Sequence, residues 1–314
     1  MKYYLTYCDF RYLDRVLVLN DSMLEFLEYH VLYLLCLDST TFEYFKFNNV
    51  KNICPISIND FNNYYKISNS FGNVKEFYFS LTPSVCIFAL KSFDIDHIIY
   101  VDADTMFYSN TLEIEKELIG KSIGIVKHNY RKWYHYLYLR NYGDYNVGFN
   151  YFKNNVVGME CLERWKYQCD NKVKFNEINI DFFSDQIYLN EWPNLYKNDL
   201  LIFKNIGLNA APRIISYFGI RYKNGVFYIS ENKLVFFHFI GLKKIKHNVW
   251  DTFTSGLLIY PNKAMLNLYS EYILKIEQYN LIQNKIDLHY SKNFIRKCLS
   301  WIISFIFPSK IYIN

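Results

Sequence analysis

Along the first hundred residues, apolar and polar positions switch repeatedly between two periods. Tyr3–Cys8 is a short β-rich run closed by Asp9. From Tyr12 to Leu27 apolar residues recur at helical spacing, as Leu13, Val16, Leu17, Met23, Leu24 and Leu27. His30–Leu37 is a near-continuous apolar run that stops at Asp38, after which Ser39 or Thr40 is placed to cap a short helix through Phe45. Asn52–Ile56 reads as a third strand and His97–Val101 as a fourth. Between them Pro83 suits the first turn of a helix over Ser84–Lys91, with Thr82 as its N-cap. The β-α-β-α-β-α-β order predicts a parallel sheet covered on both faces. In such sheets ligands bind beyond the carboxyl ends of the strands.

The pattern after Val101 is less regular. It predicts strands at Val147–Phe152, Leu200–Phe203, Val226–Ile229 and Leu234–Phe239, and a helix at Gly158–Cys169. Met265, Leu268, Tyr269, Tyr272, Ile276 and Tyr279 form a helical apolar stripe suited to packing. There is no internal repeat and no Pro-, Gly- or Ser-rich linker. The expectation is one mixed α/β unit over residues 1–260 and a helical tail over 261–314.

Composition changes this picture little. The 314 residues are 51% hydrophobic and 21% charged, which excludes wholesale disorder. Aromatics reach 20%, but alongside abundant Asn, Ile and Lys this is read as coding bias, not as a stacking surface. A net charge of +5 is too weak to point to nucleic acid, and none is expected as a partner. The seven cysteines include no CxxC pair, as reduced cytosolic thiols would have it. Residues 1–10 lack the apolar core of a signal peptide, and no run nears the ~20 apolar residues of a spanning helix. A cytoplasmic location follows as the expectation.

Candidate chemistry centres on His97-Ile98-Ile99-Tyr100-Val101-Asp102-Ala103-Asp104. A buried strand runs straight into two acids. On an extended chain, residues i and i+2 face one side with Cα atoms ~6.6 Å apart, so Asp102 and Asp104 can address one cation. Divalent ions take such oxygen ligands. The competing reading is a solvated strand end or a helix cap.

Val101-Asp102-Ala103-Asp104-Thr105 also fits the first motif of haloacid-dehalogenase-like phosphatases, where the first Asp is a nucleophile. That motif belongs on the first strand, whereas three βα units precede it here. The later acidic pair is missing too, because Gly143-Asp144-Tyr145-Asn146-Val147-Gly148 ends in glycine.

Three further segments follow in order: Asn146-Val147-Gly148, then Asp185-Gln186-Ile187-Tyr188-Leu189-Asn190, then His238-Phe239-Ile240-Gly241-Leu242-Lys243-Lys244. With the D-x-D, this series resembles glycosyltransferase family 8, in a divergent bacterial branch. The resemblance covers roughly residues 1–250. It implies a Rossmann-like glycosyltransferase A fold: a mixed, mostly parallel central sheet with helices on both faces. It further implies a metal-dependent, retaining transfer from a nucleotide sugar, with a UDP-sugar as donor and a glycan or lipid-linked acceptor. Bacterial surface polysaccharide or lipopolysaccharide synthesis is the implied setting.

Residue by residue, Asp102, Asp104 and His238 match the metal ligands, for Mn²⁺ or Mg²⁺. Gly241 and Lys244 match the glycine and lysine at the diphosphate. Thr6 and Asp9 match the region that holds the nucleotide. Asp185, Gln186 and Asn146 match residues around the transferred sugar, and Asn209 is placed to line the same cleft. Ile245 replaces the family's proline, no tryptophan follows until Trp250, and Leu81-Thr82-Pro83-Ser84 lacks the family's arginine. Each residue also has a structural reading: His238 as a core histidine, Lys243, Lys244 and Lys246 as a solvated face, Asn146 in a turn, Asp185 as a helix cap. Trp133, Tyr134, His135 and Tyr136 fit either the core or an acceptor platform. A non-catalytic sugar-nucleotide-binding subunit remains the non-enzyme alternative.

The last segment has Lys292, Arg296, Ser300 and Ser304 on one helical face and Phe294, Ile295, Leu299, Trp301, Ile302, Ile303, Phe305, Ile306 and Phe307 on the rest, ending at Pro308. Two readings stand level: an interfacial helix giving residues 290–314 a peripheral membrane contact at the inner face of the cytoplasmic membrane, or a helix docked on protein.

Overall fold

The computed structural model describes residues 1–65, 74–129, 142–172, 184–254, 259–279 and 309–312. These fall into two compact units. The first comprises Met1–Phe10, Leu27–Ala103 and Thr111–Asn205, the second Arg11–Phe26, Asp104–Asn110 and Ile206–Asn314. The aromatic run at 133–136 and the amphipathic segment ending at Pro308 lie outside the described residues. No helix among the described residues is long and apolar enough to cross a membrane. The six described cysteines are all free thiols.

The first unit is built on a seven-stranded sheet. Its strands are β1 (Lys2–Cys8), β2 (His30–Cys36), β3 (Ile53–Ser57), β4 (His97–Val101), β6 (Ile123–Lys127), β7 (Tyr145–Lys153) and β8 (Leu200–Phe203), in the order β3-β2-β1-β4-β7-β6-β8. Strands β3, β2, β1 and β4 run parallel, β7 is antiparallel to both its neighbours, and β6 and β8 are parallel. The expected mostly parallel sheet is therefore present. From β1 the chain steps outward to β2 and β3, then returns to place β4 on the other side of β1. That reversal is a topological switch point, and it opens a crevice beyond the carboxyl ends of β1 and β4. Asp9 follows the first of these strands and Asp102 the second.

Helices α2 (Ser39–Asn48), α3 (Ile58–Tyr64) and α4 (Val74–Ser92) connect these strands. Two details differ from the sequence expectation. The cap of α2 is Asp38, not Ser39 or Thr40: its Oδ1 accepts the Thr41 N–H at 2.7 Å while its Oδ2 accepts that of Phe10 at 2.7 Å. One carboxylate so joins the turns after β1 and β2, which neither hydroxyl could do. Pro83 lies inside α4 and does not open it. Leu81, Val85, Cys86 and Leu90 are buried in the sheet's main apolar cluster, and that packing outweighs the local cost of an interior proline. The helix Val156–Asp170 packs beside α4 and buries Leu162 and Trp165 in the same cluster.

In the second unit, α1 (Leu13–Phe26) and the helix Lys263–Tyr279 accompany small sheets. Strand β5 (Thr105–Phe107) pairs antiparallel with β12 (Phe236–His238). Strands β9 (Ile220–Lys223), β10 (Val226–Ile229) and β11 (Asn232–Lys233) form a meander. Strand β14 (Val249–Asp251) lies between β13 (Lys243–Lys246) and β15 (Lys310–Tyr312). The expected tail thus supplies both the helix Lys263–Tyr279 and a strand. Phe239 stacks on Tyr272 with ring centroids 3.7 Å apart, fixing the helix to the chain just after His238.

Candidate active site

The crevice at the end of β4 is framed by aromatic side chains that lie on one face of the first unit's sheet. Tyr7 and Tyr100 lie 5.6 Å apart by ring centroid, and the Tyr7 hydroxyl donates to the Tyr78 carbonyl at 2.9 Å and lies 3.2 Å from Thr82 Oγ1. The Tyr100 hydroxyl donates to Asp102 Oδ1 at 2.8 Å. Burial, followed by the Asp102 charge, holds that phenol well above its ordinary pKa, so it stays a donor. The Tyr78 hydroxyl donates to Asp9 Oδ2 at 3.1 Å. The roles of these tyrosines were not legible in the sequence, because an aromatic in a strand (Tyr7, Tyr100) or a helix (Tyr78) gives no signal of its partner.

Asp104 opens the second unit. The β5–β12 register sets Thr105 opposite His238, and the Phe239 N–H donates to the Asp104 carbonyl at 2.9 Å. This pairing brings His238 Nε2 to 3.1 Å from Asp104 Oδ1. His238 is buried and Asp104 nearly so. Burial pushes the Asp104 carboxyl upward, but the His238 imidazole and the Arg15 charge outweigh it and hold the group below its ordinary value. Asp102 stands two residues earlier on the chain. One ligand atom from each of Asp102, Asp104 and His238 lies within 4.8 Å of the other two. Two carboxylates and an imidazole converging this closely fit a divalent cation of the Mn²⁺ or Mg²⁺ kind.

The other sequence candidates divide as follows. Asp185 is buried at the start of a 3₁₀ helix, Asp185–Glu191, with Gln186 half-buried beside it. The N-cap of this helix is Ser184, so Asp185 is its first residue and not its cap. Burial, then the Asp102 charge, raises the Asp185 pKa well above the usual carboxylate range. Its carbonyl accepts the Trp165 indole N–H at 3.1 Å. Asn146 Oδ1 accepts the Gly148 N–H at 2.6 Å within β7, where the register with β6 shifts, so it shapes a strand irregularity and not a turn, while Asn190 Oδ1 ties the preceding loop to the 3₁₀ helix through the Asp144 N–H at 2.8 Å. Thr6 is fully buried within β1. Asn209 has φ +54 and is buried, with no hydrogen-bond partner for its amide among the described residues.

Gly241 has φ +77, and a Cβ there would lie 2.9 Å from the Phe253 ring, so both conformation and space demand glycine. Lys243 and Lys246 are exposed, as a solvated face would have them, but the run is a strand, completed by Val249–Asp251 across a bulge. Lys244 is mostly buried. Its ammonium pairs with Glu277 at 2.8 Å, and Glu277 also accepts the Trp250 indole N–H at 2.9 Å. Trp250 so lies beside Lys244 by strand pairing, despite its distance along the chain.

The Asp185 environment predicts a trade-off. An acid whose folded pKa lies above its unfolded value, ~3.9, contributes stability that is lost as pH rises through the folded value. Asp185→Asn is therefore expected to unfold at an equal or higher urea concentration than wild type at pH 8, with the gain shrinking toward pH 4, and to lose turnover. A lower midpoint at pH 8 would contradict the assignment of burial as the dominant influence.

A switch-point sheet whose central strand ends in an acidic pair is the architecture of the glycosyltransferase A fold. No protein-family model matches the chain. Its curated relatives include two uncharacterized Bacillus subtilis (strain 168) proteins. YfnD is 23% identical over 254 residues, 79% of this chain and 80% of the relative. YfnF is 25% identical over 226 residues, 69% of this chain and 74% of the relative. Among solved structures the chain resembles the galactosyltransferase LgtC in complex with donor and acceptor sugar analogues, with a TM-score of 0.53 and 11% identity over 94% of this chain and 99% of that one. It also resembles the glycosyltransferase GlyE of Streptococcus pneumoniae TIGR4, with a TM-score of 0.51 and 12% identity over 92% of this chain and 66% of that one. At these identities the shared property is the fold, and in fold the family 8 resemblance is borne out.

Proposed function

We propose that the protein is a metal-dependent glycosyltransferase that moves a sugar from a nucleotide sugar, a UDP-sugar in the first instance, to a glycan or lipid-linked acceptor with retention. The convergence of Asp102, Asp104 and His238 carries this reading. When bound there, a divalent ion supplies Lewis-acid neutralisation of a departing nucleoside diphosphate. The chain's own groups do the rest. Asp102, Asp104 and His238 hold the ion. Asp9 serves the nucleotide end, while Thr6, fully buried within β1, has no side-chain access to it. Gly241 lets main chain approach the diphosphate, and Lys244 offers a second positive charge where negative charge grows. Asp185, Gln186 and Asn146 surround the transferred sugar. A retaining transfer needs either an enzyme group on the sugar face opposite the leaving diphosphate, which the acceptor then displaces, or direct attack by the acceptor on the leaving-group side, and Asp185 or Gln186 is the assigned candidate for the first route.

The kinship in fold to a galactosyltransferase studied with donor and acceptor sugar analogues supports this assignment. We assign the acceptor to bacterial surface polysaccharide or lipopolysaccharide, made at the cytoplasmic side of the membrane. The phosphatase alternative draws no support from the fold. Calorimetry with UDP, with and without Mn²⁺, followed by UDP release from a panel of UDP-sugars, tests the reading. Mn²⁺-dependent binding and sugar-specific release are expected. A folded protein that binds no UDP in Mn²⁺ overturns the reading. Binding without release from any donor favours the non-catalytic sugar-nucleotide-binding subunit.

A further inference from the structure

Arginine is rarely buried without a carboxylate partner, yet Arg15 on α1 is 4% exposed and its guanidinium hydrogen-bonds a main-chain carbonyl. Its Nη2 donates to Leu242 O at 3.1 Å, and the guanidinium carbon sits 4.4 Å from the Tyr12 ring centroid. Leu242 lies between Gly241, with its left-handed backbone, and Lys244, both within the segment that follows His238. The charge of Arg15 also acts on the Asp104 carboxylate. One side chain therefore reaches from α1 to the glycine-lysine segment after the histidine. A single N–H to a carbonyl is a small return for burying a guanidinium with five donors, so folding alone is a weak reason for this residue type here.

We infer that Arg15 is a positioning residue, which holds the segment Phe239–Lys244 in place for the nucleoside diphosphate. The inference rests on the proposed nucleotide-sugar reading. It carries a sign that a merely structural role lacks. Releasing Leu242 makes the segment worse for a diphosphate and leaves Asp102, Asp104 and His238 in place, so UDP affinity falls while Mn²⁺ affinity holds.

The test uses the full chain. Mn²⁺ affinity without nucleotide is read from the electron paramagnetic resonance signal of free Mn²⁺, and UDP affinity from calorimetry in saturating Mn²⁺. For Arg15→Met, UDP binding is expected to weaken at least tenfold, with Mn²⁺ binding unchanged. Arg15→Lys keeps the charge and loses the planar fork, so Mn²⁺ binding should match wild type and UDP binding weaken at least threefold. The lysine variant decides the matter if the methionine variant does not fold. Unchanged UDP affinity in a folded variant, or parallel loss of Mn²⁺ and UDP binding with a lowered urea midpoint, overturns the inference. If wild type binds Mn²⁺ but no UDP, the functional reading falls and the inference with it. If wild type binds UDP and the variants bind it equally, only the inference falls.

Discussion

Asp102→Asn is expected to reduce turnover by about 10²–10³-fold, the usual consequence of removing one preorganised group at developing charge. The substitution keeps size and shape, and the amide oxygen can still accept the Tyr100 hydroxyl that now reaches Asp102 Oδ1 at 2.8 Å. Asp102 is only partly buried, so its charge is not needed to hold the fold. The urea midpoint should therefore stay close to wild type while the metal set drops to one carboxylate and His238. UDP release from the best donor, Mn²⁺ affinity and urea unfolding measured together check this. Normal turnover by a well-folded variant would remove Asp102 from the site.

The second large effect concerns the support behind Asp185. Trp165 is fully buried, packs edge-on to Trp192 with ring centroids 5.4 Å apart, lies 6.1 Å from Phe152, and donates its indole N–H to the Asp185 carbonyl. Trp165→Ala is expected to destabilise the protein by about 3–5 kcal/mol, the cost of emptying a large aromatic site in a packed core. Trp165→Phe keeps much of the packing and leaves the Asp185 carbonyl without its donor, a loss of about 1–3 kcal/mol. Urea unfolding of both variants reads the two contributions apart. Turnover should fall in the phenylalanine variant although it folds, because Asp185 loses its anchor. A phenylalanine variant with wild-type stability and turnover would show that the indole bond positions nothing.

Much of the first unit was legible because its strands announce themselves. His97–Val101 and Leu200–Phe203 are apolar runs bounded by polar residues, and both strands have the bounds the pattern predicts. The pattern could not show that β7 enters between β4 and β6 antiparallel to both, since strand direction within a sheet leaves no trace in a residue pattern. Pro83 misled because its local preference is real but small beside the apolar packing of α4. Short strands such as Thr105–Phe107 and Val249–Asp251 fall below the length at which period two can be told from chance.

The candidate site divides along the same line. The sequence by itself determined which residue types were on offer: a D-x-D at the end of an apolar strand, a histidine closing another, a glycine three residues before a lysine. Short-range spacing is enough to set two carboxylates on one side of an extended chain. The tertiary structure alone decided that His238, more than a hundred residues away along the chain, reaches Asp104, because antiparallel pairing of two three-residue strands sets its register. It also decided that Lys244 is held by Glu277, and that Arg15, Tyr100 and Trp165 stand behind the site. Those contacts join residues whose separation along the chain carries no periodicity, so only the folded backbone could bring them together.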